Sequence, residues 1–563
     1  MTSQKVEWKL HYDTSPTNLN QLEQWLLQEI GIVDRDAFFS PIHPLKLKPK
    51  TIGINVKQLS KAVSRIIKAK VEQERVVIAG DYDADGICAT AILWLTCKAI
   101  GIVAKPFIPD RHKHGYGLNQ RSLPDLLGTE KPDLIITVDN GIVAHDALST
   151  LETAGIDVII TDHHEKMNTD PSAYAIVHTT QLCGAGVAWV LAKELLATAK
   201  PETANDQAQQ LLDLVAIATI ADQVPLLEAN RSFAFHGLAQ LKVTERVGLQ
   251  ALFIEAGFEQ SESNEWSISY QLAPRLNALG RLSHGLDALR LLCSESKEFA
   301  QQRARLLETT NTERRDITHE LYARANQLAM EQIDEKIIII AGQEFHEGII
   351  GLLAGRLVEQ YGKPAIVIAV NEALAKGSVR SIPGIHITEF LRSFTDTFLE
   401  LGGHAMAAGF AAEPRNVEEL TRKLQAVARE KLSAETMKHS IAITCPLDQS
   451  LISLETIEKI DTFAPFGQGN PKPLFKLHRW QVLAVKQIGK EGNHLKLTIK
   501  SPPIPNTNSV ILEALWWKHG GAVEEFSKNG IVDLVGRLEK QIWRTKSYAQ
   551  IVVIDAVASG SPD

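Results

Sequence analysis

Short runs of β-branched and apolar residues alternate with amphipathic segments from about residue 51 to residue 230. Three of these runs are RVVIAG, DLIITVDNG and DVIITDHH, and each is followed by apolar residues at helical spacing. Continuous apolar runs of this length are typical of strands buried on both faces, and their alternation with helices is typical of parallel sheets. The pattern therefore predicts an α/β domain over residues 51–289, built on a doubly wound parallel sheet.

The region that follows contains neither Gly nor Pro between residues 286 and 341. It is mostly polar, and its apolar residues Ile317, Leu321 and Leu328 are spaced for one side of a helix. Without a helix-breaking residue, such a pattern can continue for many turns. We therefore expect a long, mostly exposed connecting helix over residues 290–333.

The last third of the chain changes towards strand-rich patterns. KIIIIAG and PAIVIAV predict strands on either side of the helical GIIGLLAGRLVEQY, so residues 334–436 are expected to form a second, smaller α/β domain. Five short strands without long helices follow in residues 437–563, which is typical of a small β-barrel of the OB type. Residues 1–50 are interpreted as a polar N-terminal arm, for which no function is predicted.

Charge and cysteine usage narrow the classes of partner. The 563 residues include 59 Lys and Arg against 67 Asp and Glu, a net charge of -8, so any contact with nucleic acid must be local. The five cysteines are widely spaced and form no C-x-x-C pair, which predicts reduced thiols. No apolar stretch is long enough to span a membrane, and no leader of the secretory kind opens the chain. We expect a cytoplasmic protein without a membrane partner.

Candidate chemistry begins in the segment GDYDADG, which places Asp81, Asp83 and Asp85 at every second position after a strand. Carboxylates this close repel one another unless a cation compensates them. An EF-hand calcium loop is excluded, because its twelfth position requires Glu and here holds Ile92. Three alternatives remain from this segment alone: a solvated acidic turn, a phosphatase with a nucleophilic Asp, and a site for two metal ions.

Two further strand ends and one helix end carry the same chemistry. TVDNG ends a strand at Asp139, TDHH ends the next at Asp162, His163 and His164, and ATIADQVPL places Asp222 where a helix should stop. The carboxyl ends of parallel strands converge on one edge of a sheet. Carboxylate and imidazole together are ligands for Mn²⁺ or Mg²⁺, and in-line phosphoryl displacement uses a pair of cations. The combination favours the two-metal site over the phosphatase.

Side chains and glycines suited to phosphate occur in four other segments. Arginine and asparagine donate to phosphate oxygens, and Gly-rich backbone lets N–H groups approach an anion closely. The alternative for each is a structural turn or a packed core histidine. The candidates for substrate binding are Arg111, Arg275, Asn277, Arg281, Ser378, Arg380, Gly403 and His404.

The C-terminal strands interleave aromatic residues with Lys540, Arg544 and Lys546. Aromatic rings can stack on any base while cations follow the phosphates, so this pattern indicates binding of single strands without sequence preference. Because neighbours on a strand point to opposite faces, one of two adjacent tryptophans should be buried and the other exposed. The candidates for stacking on DNA are Trp516, Trp517, Trp543 and Tyr548.

Ten motifs, in order, resemble the RecJ exonucleases of the DHH phosphoesterase superfamily from about residue 50 to the C-terminus. Besides the acidic segments they include CGAGVAWVL, LAPRLNALGR, HEGIIGLLAGRL, GSVRS, GGHAMAAGF and PFGQGNPKP. By this resemblance residues 51–289 would be the DHH catalytic domain and 334–436 the DHHA domain that closes over the substrate. His164 would face the scissile phosphate, and Asp139 would bridge the metals. The implied metal ligands are Asp81, Asp83, Asp85, Asp139, His163 and Asp222.

The resemblance implies a metal-dependent exonuclease that releases 5′ mononucleotides from single-stranded DNA in the 5′ to 3′ direction, in DNA repair and recombination. It implies two cations, Mn²⁺ or Mg²⁺, and as partners single-stranded DNA, single-strand-binding protein and a helicase. We expect a monomer. Two alternatives are a DHH-family hydrolase of short oligonucleotides or cyclic dinucleotides, and a non-enzymatic replication scaffold that binds single strands.

Overall fold

The computed structural model describes residues 6–433, 440–503, 508–526, 530–544 and 546–559. The chain divides into two compact units. The larger comprises His43–Val224 and Ser232–His439, and the smaller comprises Met1–Ile42, Pro225–Arg231 and Ser440–Asp563. Among the described residues, no helix combines the length and the apolar character needed to cross a membrane. All five cysteines are free, as predicted.

The first sheet of the larger unit is parallel throughout, and residues such as those of Val76–Ala79 are buried at every position. This confirms the predicted α/β domain with a parallel sheet. In spatial order the strands are Ala104–Phe107, Val76–Ala79, Leu134–Val138, Asp157–Asp162 and Ala175–His178. The strand order reverses between the second and third of these, which is where doubly wound sheets form a crevice.

Eleven α-helices of five or more residues belong to this part of the larger unit, within the described residues. They are Val56–Glu72, Ala84–Ile100, Leu123–Leu127, His145–Thr153, Gly184–Ala199, Ala204–Gln210, Leu212–Ala221, Val247–Ala256, Ala273–Leu282, Leu286–Leu292 and Lys297–Met330. A single π-helical turn, Ile268–Leu272, precedes Ala273–Leu282. The helix Glu228–Leu241 begins in the short segment that belongs to the smaller unit.

The predicted connecting helix extends over 34 residues, Lys297–Met330. It begins later than residue 290 because Leu286–Leu292 is a separate helix and the Ser296 hydroxyl accepts a hydrogen bond from the Phe299 N–H as an N-cap. Ile317, Leu321 and Leu328 are half-buried against the second sheet and its helix, as the spacing predicted.

The second sheet of the larger unit is mixed. Its strands, in spatial order, are Glu400–Gly403, Ala407–Ala412, Ala375–Arg380, Ala365–Val370 and Ile338–Gly342. The last two are parallel and are joined by the predicted helix Ile350–Tyr361, while the other pairs are antiparallel. The helices Ile387–Arg392 and Val417–Lys431 complete the second α/β domain.

The smaller unit contains the predicted barrel. Its strands are Phe475–Ile488, His494–Lys500, Ile511–Trp516, Lys546–Ser559 and Ile531–Trp543, and pairing between the first and last closes it. The short strand Cys445–Pro446 extends it, and the helix Leu454–Asp461 packs on it.

Residues 6–42, interpreted from sequence as a polar arm, are folded onto the barrel. The strand Glu7–Leu10 pairs with Ser440–Ile443, and the helices Leu19–Glu29 and Arg35–Phe39 follow it. Leu22, Leu26 and Phe38 lie in the same core as the barrel strands. The apolar residues of the first helix show that one of its faces is buried, but they do not show which part of the protein covers that face.

Candidate metal centre and cleft

The acidic segments meet where the strand order of the first sheet reverses. Asp81, Asp83 and Asp85 follow the strand Val76–Ala79, and Asp139 follows its neighbour Leu134–Val138. The parallel pairing places both carboxyl ends side by side, so the predicted convergence on the crevice is present.

Three local contacts hold the first acidic segment in place. The Asp83 carboxylate caps the helix Ala84–Ile100 by accepting from the Gly86 N–H at 3.0 Å. The two oxygens of Asp85 accept from the N–H groups of Gly184 and Ala185, both at 2.7 Å. These N–H groups begin the helix Gly184–Ala199, whose positive end stabilises a carboxylate.

Asp139, the second acidic element, has a strained backbone and is packed closely against Gly184. Asp139 has a φ of 59°, a left-handed conformation that Asp tolerates better than most residues. A β-carbon on Gly184 would lie 2.4 Å from Asp139 Oδ1, so only glycine fits there. Nε2 of His163 lies 3.1 Å from the same oxygen. Gly184 therefore sets the position of two of the carboxylates.

The potential ligand atoms form three overlapping groups, and within each group the atoms lie within 4.8 Å of one another. The groups are Asp81, Asp83 and Asp139; Asp85, His163 and Asp222; and Asp139, His163 and His164. Asp222 reaches them from the end of the helix Leu212–Ala221. Asp139 belongs to two of the groups, which is the arrangement expected of a carboxylate between two cations.

The negative charges of this cluster are only partly compensated within the described residues. Oδ1 of Asp81 and Oδ1 of Asp139 are buried and make no hydrogen bond there. Burial and the neighbouring carboxylates raise the pKa of Asp85 to about 7, and burial with Asp85 and Asp83 raises that of Asp222 to about 8. The donor set of carboxylates with one imidazole fits Mn²⁺ or Mg²⁺, whose binding would supply the missing positive charge.

The two histidines of TDHH have different environments. Burial lowers the pKa of His163 to about 4, which leaves its ring neutral and able to bind a metal ion. For His164, the effect of burial is outweighed by the hydrogen bond and charge of Asp162, which raise its pKa to about 9. Its Nδ1 lies 2.7 Å from Asp162 and its Nε2 lies 2.9 Å from the Tyr116 hydroxyl. His164 is therefore a cation at neutral pH.

Asp162 itself is used within the protein. Its carboxylate accepts from the N–H groups of Ile142, His163 and His164 as well as from the His164 ring. These bonds leave it orienting His164, which agrees with its omission from the implied metal ligands.

The second α/β domain forms the other wall of the cleft, and both walls lie in the larger unit. The rings of His164 and His404 are stacked with centroids 6.2 Å apart, and His404 follows Gly403, whose φ of 142° requires glycine. Nη2 of Arg121 lies 3.0 Å from Glu400, and Arg281 Nη1 donates to the Gly348 carbonyl.

A group of arginines beside the cleft lacks carboxylate partners among the described residues. Arg380 donates to Ser378 and to a backbone carbonyl, and Arg111 lies over the Tyr82 ring. Burial, followed by the charges of Arg111, Arg314 and Arg380, lowers the pKa of Arg281 to about 9. Arginines grouped without ion pairs in this part of the chain are candidates for binding an anion.

Two of the predicted substrate residues have structural partners instead. Arg275 is ion-paired with Glu308 and donates to the Gln271 carbonyl, so its guanidinium is occupied. Oδ1 of Asn277 accepts from the Ala84 N–H at 2.7 Å, which positions the acidic segment. Substrate binding by Arg275 and Asn277 stays a prediction, and of the two arginines in that segment only Arg281 has no carboxylate partner among the described residues.

Sequence reasoning missed two residues of this site. Gly184 lies in the quoted CGAGVAWVL, but its role depends on Asp139, 45 residues earlier in the chain. Tyr116 follows the PDRHKHG segment and reaches His164 across the crevice. Neither contact has a local sequence signal.

The barrel aromatics divide as the strand rule predicted. Trp516 is buried in the barrel core and stacks on His519, so it is excluded as a base-stacking residue. Trp517 is 50% exposed and Tyr548 is 47% exposed. The side chain of Trp543 lies outside the part of the chain that the structure describes.

A parallel sheet with this acidic cluster at its switch point, beside a group of arginines, has the fold and the candidate metal site of the DHH class. Family models match accordingly: the DHH family, N-terminal domain, over residues 75–219; the DHHA1 domain over 334–430; and the RecJ OB domain over 443–555. The chain belongs to the RecJ family.

Two relatives illustrate the match. The single-stranded-DNA-specific exonuclease RecJ of Bacillus subtilis is 34% identical over 519 residues, 90% of this chain, and the chain spans 64% of that protein's length. RecJ of Salmonella typhimurium is 30% identical over 528 residues, covering 88% of this chain and 90% of that protein.

A solved structure shows the same architecture. The crystal structure of RecJ in complex with Mn²⁺ from Thermus thermophilus aligns with 99% of this chain and 80% of that one, with a TM-score of 0.81 and 28% identity. A second structure from the same organism contains Mg²⁺. These relatives support the exonuclease interpretation over the short-oligonucleotide hydrolase and the non-enzymatic scaffold.

Proposed function

We propose that the protein hydrolyses single-stranded DNA from its 5′ end and releases 5′ mononucleotides in a metal-dependent reaction. The observation that carries this proposal is the placement of a cation-binding carboxylate cluster and an uncompensated arginine group in one cleft. The first suits a scissile phosphodiester, and the second suits a further phosphate nearby. The names of the relatives agree with such a reaction.

Two divalent cations, Mn²⁺ or Mg²⁺, fit the donor groups. Asp85, His163 and Asp222 would hold one, Asp81 and Asp83 the other, and Asp139 would serve both. When bound, they would supply Lewis-acid activation of water and neutralise charge on the phosphate. The N–H groups at the start of the helix from Gly184 favour the ionised form of Asp85 and offset part of the rise in its pKa.

His164 acts on the phosphate itself in this proposal. Asp162 holds the ring by Nδ1, so the Nε2–H is directed away from Asp162 and towards the cleft, where it meets Tyr116. A protonated imidazole here would donate to a phosphoryl oxygen as negative charge develops on it. His404, stacked on His164 from the other wall, would limit how far the ring can turn.

The proposed direction of digestion comes from the resemblance to the RecJ family, and the arginine group supplies a candidate site for the strand end. Arg111, Ser378, Arg380 and Arg281 would bind the terminal 5′ phosphate, and the backbone at Gly403 and His404 would contact the strand between the two sites. In this proposal the bound end and the cleaved bond lie one nucleotide apart, so that mononucleotides leave.

The barrel would hold the rest of the strand. Trp517 and Tyr548 present exposed rings for stacking on successive bases, and neighbouring lysines would follow the phosphates. Such contacts are tolerant of sequence, as an exonuclease requires.

Several expectations complete this proposal. The division at residues 50, 289, 333 and 436 into arm, catalytic domain, connecting helix, DHHA domain and OB domain stays a prediction. So do a monomeric state, a cytoplasmic location, a role in DNA repair and recombination, and cooperation with single-strand-binding protein and a helicase.

The test is digestion of one single strand labelled at its 5′ or its 3′ end, with Mn²⁺ or with a chelator. The 5′ label should appear at once as mononucleotide, whereas the 3′ label should remain in progressively shorter strands. Release of the 3′ label first would contradict the direction, and digestion in the chelator would contradict the metal requirement.

A further inference from the structure

A single loop touches both walls of the cleft. Residues 108–122 connect the strand Ala104–Phe107 with the helix Leu123–Leu127 and contain neither helix nor strand. This bridging loop and the two walls all belong to the larger unit. Loops of this length without secondary structure are uncommon in compact domains and are usually functional. The contacts of the bridging loop therefore indicate a role in the cleft.

Hydrogen bonds within the bridging loop make it move as one body. Nδ2 of Asn119 donates to the carbonyls of His114 and Tyr116, both at 2.9 Å. Oδ1 of Asn119 accepts from the Arg121 N–H at 2.9 Å, and Nδ1 of His114 accepts from the Asp110 N–H at 2.9 Å. These bonds connect the two halves of the loop, so a displacement of one half is transmitted to the other.

Asn140 attaches the bridging loop to the first wall. It is 2% exposed, and its Nδ2 donates to the carbonyls of Val138 at 2.8 Å and Ala79 at 3.2 Å. Its Oδ1 accepts from the Leu118 N–H at 3.3 Å. Ala79 and Val138 end the two strands that the acidic residues follow. The loop is therefore attached at the edge of the sheet that carries the metal centre.

Two polar contacts connect the same loop with the second wall. The ring of His112 and the Lys376 ammonium each contact one oxygen of the Glu347 carboxylate, and Nη2 of Arg121 lies 3.0 Å from Glu400. Lys376 and Glu400 belong to strands of the second sheet, so the loop follows the position of the second domain. The Arg121 pair is largely exposed, and such pairs add little to stability, so its loss should leave the protein folded.

The bridging loop also reaches His164. The Tyr116 hydroxyl lies 2.9 Å from Nε2 of His164, and Oδ1 of Asp162 lies 2.7 Å from Nδ1 of the same ring. One side of the ring is thus held by the first sheet and the other side by the loop. A displacement of the loop would turn the ring, and a misplacement near 1 Å lowers a rate about a hundredfold.

We propose that Glu347 and Glu400 are positioning residues, which act through the bridging loop on the orientation of His164. The two carboxylates hold the loop, the loop holds Tyr116, and Tyr116 holds the ring. Closing of the cleft and completion of the catalytic site are then one event, as in other enzymes whose closing assembles the site. This inference rests on the proposed function, in which His164 acts on the scissile phosphate.

The test measures kcat and KM for one single strand with Mn²⁺. In Glu347→Gln and in Glu400→Gln, kcat should fall about tenfold while KM changes less than about twofold, because the ring has lost its support and the strand has not. Glu344→Gln is the matched control. It removes the same charge three residues from Glu347, but Glu344 pairs with Arg324 of the long helix and not with the loop, so its kcat should be unchanged.

A double-mutant cycle with Tyr116→Phe tests the route through the loop. Tyr116→Phe removes the hydroxyl that contacts His164. Adding Glu347→Gln or Glu400→Gln to it should therefore lower kcat by less than about a further twofold. Additive losses would overturn the inference, because the two carboxylates would then act on something other than Tyr116.

A charge exchange tests the Arg121 pair in the folded protein. Arg121→Glu places two carboxylates together and should lower kcat about tenfold, and adding Glu400→Arg restores the pair and should recover most of that loss. Absence of recovery, or an unchanged kcat in both glutamine variants, would overturn the inference while the unsubstituted protein still digests the strand. If the unsubstituted protein does not digest the strand, the proposed function itself fails.

Discussion

Asp139 combines features that rarely occur in one residue. It ends a strand in a left-handed conformation, its carboxylate is buried, and it belongs to two of the three potential ligand groups. Backbone strain of this kind persists where the surrounding structure holds it, and it is typical of functional sites. The strain aims the carboxylate between its neighbours.

Replacing Asp139 with Asn should therefore abolish hydrolysis while the protein stays folded, because Asn also tolerates a positive φ. The loss of the shared anionic ligand should lower the rate about a thousandfold or more. Single-turnover digestion with Mn²⁺, beside a binding assay on the same strand, measures both properties. A rate within tenfold of the unsubstituted protein would rule out the shared-ligand role.

The shifted pKa values of the cluster make the stability of the metal-free protein depend on pH. In the metal-free protein Asp85, Asp222 and His164 bind their protons more tightly than in the unfolded chain, since their pKa values are raised to about 7, 8 and 9. Stability from such groups is present at low pH and is lost as pH rises through the folded-state values. His163, with a pKa lowered to about 4, acts in the opposite direction only below about pH 6.5.

We therefore expect the melting temperature of the metal-free protein to fall between pH 6.5 and about 8. Added Mn²⁺ should raise it more at pH 8 than at pH 6.5, because the cation binds ionised carboxylates. Asp222→Asn is the control variant. Its melting temperature, measured by calorimetry, should fall less steeply with pH. An identical slope in this variant would show that other groups cause the decline.

At the scale of elements, the start of the helix Gly184–Ala199 determines the geometry of the metal centre. It holds Asp85 through two N–H groups and leaves space for Asp139 only because residue 184 has no side chain. The same helix contains a second glycine, Gly186, whose added β-carbon would lie 3.1 Å from Leu182.

Gly184→Ala should lower the rate about a hundredfold, since displacements near 1 Å have effects of that size. Gly186→Ala, a matched change two residues later, should affect the rate far less. Rates at saturating Mn²⁺ together with circular dichroism distinguish a displaced ligand from a lost helix. Equal rates for the two variants would contradict the spatial role of Gly184.

The C-terminal barrel shares its core with the N-terminal helices, so its role in DNA binding cannot be tested by deleting it. Removal of residues 437–563 would expose the helices of residues 19–39, whose Leu22 and Phe38 share its core. Substitutions in the full chain are therefore preferable. Trp517→Ala and Tyr548→Ala should each weaken binding of long single strands about tenfold, the contribution of one stacked base.

The same two substitutions should barely change hydrolysis of very short oligonucleotides. Val33→Ala, at a fully exposed apolar position of the smaller unit, is the control. Fluorescence anisotropy on long and short strands compares them. Undiminished affinity in both aromatic variants would assign the barrel another role, such as protein docking.

At the scale of the larger unit, the two walls of the cleft touch. Arg121 with Glu400, His112 with Glu347, and His164 with His404 span it. We therefore expect the cleft to admit a single strand and to exclude a duplex about 20 Å wide, so that paired DNA must be opened first.

A duplex with a 5′ single-stranded tail should therefore lose its tail, while the same duplex with blunt ends should persist. Gel analysis of both under identical Mn²⁺ conditions measures the two rates. Equal degradation of blunt and tailed DNA would exclude the closed cleft without affecting the metal assignment.

The sequence by itself determined the two α/β domains, the barrel and the convergence of the acidic segments, but not the fold of residues 6–42. The apolar runs before Asp81 and Asp139 predicted two strands. Because the carboxyl ends of parallel strands lie along one edge of a sheet, the local pattern also predicted that the two carboxylates would lie close together. The tryptophan pair at 516 and 517 separated into buried and exposed because strand side chains alternate.

Only the tertiary structure decided which donors are free. Arg275 and Arg281 are six residues apart in one segment, yet Glu308 of the long helix pairs with Arg275, and Arg281 donates to the Gly348 carbonyl. Tyr116 reaches His164, and the N-terminal helices join the barrel, through contacts between residues far apart in the chain. Local pattern fixes periodicity and strand ends, whereas the pairing of distant side chains depends on how the elements pack.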